Sequence, residues 1–168
     1  MPANRLHLVR HGEVFNPDHV LYGRLPNFRL SEDGRRMTRQ AAEHILDTGR
    51  PVSTLVCSPL QRTQESAEPF TELFGLTPRI DERVIEPTNV FEGKRMKKAL
   101  MNPLNWRHLL RPAVPSWGEP YAKVIARMNA AMTDAWAQTA DGDAVIVSHQ
   151  LPIWVTHLSV AGESPKHD

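Results

Sequence analysis

The sequence predicts an α/β fold with a mainly parallel sheet covered on both faces, and three observations predict it. Short apolar runs at Leu6-His7-Leu8-Val9, Thr54-Leu55-Val56-Cys57 and Ala144-Val145-Ile146-Val147 have strand length, and polar or turn-forming residues follow each. Longer segments between them repeat apolar residues at three- and four-residue spacing, the period of a helix. Strands that alternate with helices wind into such a sheet, because each crossover helix must bury its apolar face against it.

The first strand, Leu6 to Val9, runs through Arg10-His11 into Gly12. Residues 13–30 hold Asn16-Pro17-Asp18, Gly23 and Pro26 without sustained periodicity and are expected to be loop. Ser31 is an expected N-cap with Glu32 and Asp33 in the first turn. Met37, Ala41 and Ile45 mark the inner face of a helix over 32–48, stopped by Gly49-Arg50-Pro51. After the second strand, Ser58-Pro59-Leu60-Gln61 reads as a capping box, with Ser58 at N-cap and Pro59 at N1. Leu60, Ala67, Phe70 and Phe74 form the apolar face of the helix it opens, and Pro69 is expected to kink it. Arg79-Ile80-Asp81 is a weak third strand. Residues 94–112 are expected to hold one or two short helices. Tyr121, Val124, Ile125, Met128, Met132 and Ala135 predict a helix over 119–139, Ala144 to Val147 the clearest strand, and Pro152 opens a last helix.

The 168 residues suffice for a single domain with a real core, spanning 1–168, with a proline-rich cap excursion at about 87–118. Hydrophobic residues at 40% and charged residues at 23% exclude a disordered chain. A formal net charge of +1 gives no bulk field for nucleic acid or a membrane surface, so anion binding has to be local. The single cysteine, Cys57, fits a reducing compartment, and no segment reads as a signal peptide or membrane span; a cytoplasmic protein is expected.

In parallel sheets ligands bind outside the carboxyl ends of the strands. Arg10-His11 ends the first strand, Ser58 to Arg62 follows the second, and His149 ends the fourth, so residues distant in sequence converge at one edge. A phosphate monoester needs that kind of edge. Arg10 and Arg62 supply permanently charged donor forks. Arg62 also sits in the first turn of a helix, where free N–H groups favour anions. Neighbouring arginines depress an imidazole pKa, which keeps His11 neutral and nucleophilic. Such a site needs no metal or other cofactor, and no glycine loop of the nucleotide-binding G-x-x-x-x-G-K type is present.

Leu8-Val9-Arg10-His11-Gly12-Glu13 resembles the signature of the histidine phosphatase superfamily, the phosphoglycerate-mutase-like family. The likeness continues through Asn16, Leu30-Ser31-Glu32-Asp33-Gly34, Ser58-Pro59-Leu60-Gln61-Arg62-Thr63 and Val147-Ser148-His149. These ordered blocks cover residues 5–150 and are far more specific than a lone Arg-His-Gly. The resemblance implies a three-layer α/β/α sandwich with a mostly parallel sheet and one antiparallel strand. It implies that His11 is the nucleophile that becomes phosphohistidine. Arg10, Arg62 and His149 complete the phosphate pocket, Asn16 helps bind the transferring phosphoryl group, and Glu86 protonates the leaving oxygen. Glu92 competes with Glu86 for that last role, Gln150 stands where a small residue is common, and the family's further strand after the last helix would lie beyond Asp168.

The expected function is therefore metal-independent hydrolysis of a small-molecule phosphomonoester, by a histidine acid phosphatase-type enzyme. Alternatives are a phosphomutase, a phosphoprotein phosphatase and a non-catalytic phospho-ligand binding module. The short excursion after Glu86 favours the phosphatase, because a mutase must enclose a bisphosphate and exclude water. Other residues have plainer roles. Glu13 is a structural or rim residue and His7 packs on its strand. His19, His44, His108, His157 and His167 show no ligand spacing. Trp106, Trp117 and Trp154 fill core space, and Lys94-Arg95-Met96-Lys97-Lys98 is a solvated basic face.

Overall fold

The computed structural model describes residues 3–95 and 118–165, together with 98, 101 and 104. Strands β1 (Leu6–Arg10), β2 (Val52–Cys57), β3 (Arg79–Ile80) and β4 (Asp143–Ser148) form one sheet in the order β1-β4-β2-β3. Every pairing in it is parallel. The helices are α1 (Glu32–Asp47), α2 (Gln61–Phe74), α3 (Tyr121–Gln138) and α4 (Gln150–Val160). The antiparallel strand that the resemblance implies does not occur in the sheet among the described residues. The expected helices at 94–112, with Trp106, Trp117 and His108, lie almost wholly outside them, as do Met96 and Lys97 of the basic run.

β4 sits between β1 and β2, and all six of its residues are buried. Its side chains alternate between two cores, as a two-residue strand period requires. Ala144 and Ile146 join Val56, Val84, Val124, Met128 and Val155 on the α3–α4 face. Val145 and Val147 join Ala42, Ile45, Leu55, Ala67 and Phe70 on the α1–α2 face. This is the predicted three-layer α/β/α sandwich. Each fully buried aliphatic side chain of these cores contributes about 1.5–3 kcal/mol as an upper bound.

Ser31 caps α1 as expected, its hydroxyl accepting the Gly34 N–H at 3.0 Å. The inner face differs from the expected one. Gly34, Thr38, Ala42 and Ile45 are buried, while Met37 is 50% exposed. The cause is a close approach between α1 and the turn after β1. A Cβ on Gly12 would lie 2.3 Å from the Gly34 carbonyl oxygen, and one on Gly34 would lie 2.1 Å from that of Glu13. Only small residues fit that contact, so they, and not Met37, face the sheet.

The capping box at Ser58 does not form either. Leu60 is the N-cap of α2 and makes no side-chain cap bond. The Ser58 hydroxyl is spent on His149, and Gln61 donates to Glu65 Oε1 at 2.7 Å. The helix runs through Pro69, whose ring is buried, and ends at Gly75 in the left-handed region (φ 67°). His7 does more than pack. Its Nε2 lies 2.9 Å from Asp143 Oδ2, and Arg50 grips the same carboxylate at 2.8 and 2.6 Å. No helix among the described residues is long and apolar enough to cross a membrane.

Candidate active site

Parallel register delivers the site. Arg10 pairs with Ser148 across β1 and β4, so His11 and His149 leave the sheet side by side, their ring centroids 5.2 Å apart. The His11 amide donates to the Ser148 carbonyl at 3.0 Å, and the Ser58 amide donates to that of Val147 at 3.1 Å. These bonds fix the ends of β1 and β2 against β4.

His11 is nearly buried, and its Nδ1 lies 2.7 Å from the Gly12 carbonyl oxygen. A carbonyl only accepts, so Nδ1 carries the proton and Nε2 keeps its lone pair free. Burial, aided by the charges of Arg62 and Arg10 and opposed by the Gly12 bond, lowers the His11 pKa to about 4. The imidazole is therefore neutral at physiological pH. The Gly12 amide is in turn held by Ser66 Oγ at 3.1 Å.

Behind it lies a fully buried layer. Arg62, on the first turn of α2, donates to the Gly23 carbonyl at 2.6 Å and lies 3.3 Å from His149 Nδ1. A guanidinium only donates, so His149 Nδ1 accepts, and its Nε2–H donates to Ser58 Oγ at 2.8 Å. Burial and the Arg62 charge hold His149 well below the ordinary imidazole range. The Arg62 Nε is buried without a partner among the described residues. The guanidinium also stacks on Tyr22, 4.8 Å from the ring centroid. Sequence reasoning missed Tyr22, whose ring meets His11 edge-on at 6.5 Å. It missed Ser58 as the partner of His149, although the Ser-Pro block placed that hydroxyl at the sheet edge.

Glu86 faces this layer, its Oε2 3.7 Å from His149 Nδ1. The turn before it is tied down by Ser148 Oγ, which donates to the Val84 carbonyl at 2.7 Å. Arg24 Nε donates to the carbonyl of Glu86 itself at 2.5 Å. Burial raises the Glu86 carboxyl to about 7, against the pull of Arg62, Arg127, Arg10 and Arg24. Glu92, the competing acid, is a loop clamp. Its Oε1 accepts from the amides of Arg24 at 3.1 Å and Asn89 at 3.2 Å.

Arg10, His11 and Glu86 share a cavity of about 280 Å³ walled in part by Tyr22, Pro87 and Leu151. Arg10 is exposed, and its side chain makes no hydrogen bond or ion pair among the described residues. Asn16 lies in an adjoining cleft with Arg10 and His11. Its side chain closes its own loop, donating to the Val20 carbonyl at 2.9 Å and accepting the Val20 amide at 3.2 Å. Gln150 opens α4 directly after the N-cap His149 and lines the cavity that holds Arg10, His11 and Glu86. Glu13 accepts from Ser31 Oγ at 2.8 Å on the rim. Among the described residues no three His, Cys, Asp or Glu side chains gather as metal ligands.

A neutral histidine whose Nε2 keeps its lone pair thus shares the site with Arg10 and Arg62, neither of which forms an ion pair among the described residues. The model of the histidine phosphatase superfamily (branch 1) matches residues 6–167. This chain belongs to that superfamily. It is 42% identical over 167 residues to "Uncharacterized protein Rv0525" of Mycobacterium tuberculosis, covering 98% of this chain and 82% of that one. It is 26% identical over 156 residues to "Probable phosphoglycerate mutase GpmB" of Yersinia pestis, covering 89% and 71%. Among solved structures, a mycobacterial glucosyl-3-phosphoglycerate phosphatase in complex with inorganic phosphate superposes with a TM-score of 0.70 at 27% identity, covering 94% and 79%. The alpha-ribazole phosphatase of Shigella flexneri superposes with a TM-score of 0.75 at 21% identity, covering 94% and 80%, a likeness of fold. The expected membership in a phosphatase superfamily is borne out.

Proposed function

We propose that this chain hydrolyses phosphate monoesters through a phosphohistidine at His11, without a metal. The observation that carries the reading is a neutral His11 whose Nε2 is unprotonated and, among the described residues, unpaired, beside a buried Arg62 that has no ion-pair partner among them. An ester phosphate docks against Arg10 and Arg62, and Arg62 Nε gains the acceptor it lacks among the described residues. Asn16 borders the same oxygens. Neutral His149 accepts from Arg62 through Nδ1 and so holds that guanidinium against the phosphate.

His11 Nε2 then attacks phosphorus in line. The N–P bond forms, the bond to the leaving oxygen breaks, and Glu86 gives its proton to that oxygen. Water attacks next. An O–P bond forms, the N–P bond breaks, and the water proton passes to Glu86, which restores the enzyme. Glu86 near 7 is protonated under acidic conditions, and His11 near 4 is neutral there. The working window is thus that of a histidine acid phosphatase-type enzyme. The free Cys57 and the near-neutral charge suit a cytoplasmic setting with small-molecule substrates.

Phosphate release from p-nitrophenyl phosphate between pH 5 and 8, in excess EDTA, tests this reading. Wild type should turn over, and His11→Ala should lose about 10⁴-fold or more while staying folded. Activity abolished by EDTA, or retained by His11→Ala, would refute it.

A further inference from the structure

Three buried hydroxyls stand around the start of α2, and two of them hold the frame of the site. Ser58 Oγ pairs with His149 at 2.8 Å. Thr63 Oγ1 lies 2.9 Å from the Ser58 carbonyl oxygen and 2.6 Å from that of Leu60, which ties the first turn of α2 to the end of β2. The third, Ser66, takes no part in the phosphoryl chemistry above. It is fully buried and follows Arg62 by one turn on the same helix face.

A buried helix position of this kind suits alanine, which forms helices better and buries no polar atom; Ala67 is the next residue. The Ser66 hydroxyl is engaged by two backbone groups instead. It lies 2.6 Å from the Arg62 carbonyl oxygen and 3.1 Å from the Gly12 nitrogen. A carbonyl only accepts and an amide only donates, so Ser66 gives its proton to Arg62 and takes that of Gly12. The first bond is local to the helix. The second crosses 54 residues to the turn that carries the nucleophile.

That second bond controls the Gly12 carbonyl. This carbonyl accepts the Nδ1–H of His11 at 2.7 Å, and the bond decides which ring nitrogen carries the proton. Glycine turns more freely about its backbone than other residues, so its carbonyl keeps one direction only if both flanks are held. Beyond it, the Glu13 carbonyl accepts the Ser31 amide at 2.9 Å. Before it, the Gly12 amide has Ser66 as its acceptor among the described residues. With that anchor gone the carbonyl can turn, and the ring proton can move to Nε2, where it blocks attack. The bond also strengthens as the attacking ring takes up positive charge, so a turned carbonyl withdraws support from the transition state.

We propose that Ser66 is a positioning residue for the nucleophile. Its hydroxyl ties the Gly12 turn to the helix that carries Arg62, and so keeps the His11 proton on Nδ1 and the Nε2 lone pair free. The proposal rests on the phosphatase reading above.

The test compares wild type with Ser66→Ala and with Ser66→Thr, which keeps the hydroxyl. Nitrogen-15 shifts of the His11 ring at pH 7 read the tautomer. Rapid mixing with p-nitrophenyl phosphate reads the first turnover, and titration with inorganic phosphate reads binding. In Ser66→Ala the ring shifts should move towards the Nε2–H tautomer, and the first-turnover rate should fall by about 3–10-fold, the weight of one hydrogen bond. Phosphate affinity should stay within about twofold, because Arg10 and Arg62 are untouched. Ser66→Thr should keep the wild-type tautomer. A serine that merely satisfied a buried amide would cost stability on removal and leave the tautomer in place, so the ring shifts decide. Unchanged His11 shifts in Ser66→Ala, whatever happens to rate or stability, would overturn the proposal, as would Ser66→Thr shifted as far as Ser66→Ala. In both cases wild-type turnover leaves the phosphatase reading intact. Wild type without His11-dependent turnover would remove that reading, and the proposal with it.

Discussion

The two ends of β4 carry buried charge in opposite ways. At its start, Asp143 is fully buried and fully answered, with Arg50 bound to both carboxylate oxygens and His7 to one of them. The Arg50 bonds lead in holding the Asp143 carboxyl at about 2. At its end, His149 lies against an Arg62 guanidinium that is buried with one N–H unpaired among the described residues, and the carboxyl facing them is pushed towards neutrality. The first cluster closes its electrostatics inside the protein. The second leaves the Arg62 charge without an ion-pair partner among the described residues, and in the proposed function an anion from outside completes it. Buried charge is a structural device where its partners are present and a functional one where a partner is missing.

Glu86→Gln should break the open end most severely after loss of His11 itself. Turnover of alkyl phosphates should fall about 10²–10⁴-fold, and that of aryl phosphates less, because a good leaving group needs little protonation. Steady-state rates on a matched pair of esters check this. Arg62→Met should cost about 10²–10³ in kcat, as removal of a charge-stabilising donor does. Its stability cost should stay below that of Asp143→Ala, because the bonds lost at Gly23 and His149 are offset by removal of a buried cation that has no ion-pair partner among the described residues. Asp143→Ala should do the reverse. Denaturant titration should show a loss of about 3–5 kcal/mol, the cost of stripping one partner from a buried pair, with activity per folded molecule retained.

Acid and base should separate the two ends more gently. Asp143 is depressed in the folded chain, so its contribution is complete above the ordinary carboxylate pKa and is lost as pH falls through about 2. Thermal unfolding between pH 5 and 2 should show that loss, and Asp143→Asn should flatten it. Glu86 is raised, so the acid it supplies is present below about 7 and lost above. kcat/KM for an alkyl ester should therefore decline above about pH 7, and the decline should vanish in Glu86→Gln.

Most of this architecture was legible in the sequence, because parallel strands buried on both faces are continuous apolar runs and the catalytic blocks sit directly behind them. The Arg10-His11, Ser58–Arg62 and Ser148-His149 segments converge as the strand-end rule requires. What stayed hidden depends on long-range contact. Ser58 has the local pattern of a helix cap, but a histidine 91 residues away takes its hydroxyl. Met37 has helical spacing, yet the Gly12–Gly34 approach turns it outward. His7 carries no sign that Asp143 and Arg50 wait beside it. Tyr22 sits in a loop without periodicity, so nothing local announces that its ring covers Arg62. The sequence favours Glu86 over Glu92 by its place in the family pattern, and the amides that occupy Glu92, with the burial of Glu86, support that order.

The most direct measurement is rapid-quench trapping of the enzyme during turnover of p-nitrophenyl phosphate, followed by mass spectrometry of its peptides. A phosphoryl group on His11, labile in acid, stable in alkali and accumulating in Glu86→Gln, is the predicted result. Steady turnover with no phosphoryl group on His11 at any quench time, or with one on another residue, would contradict it.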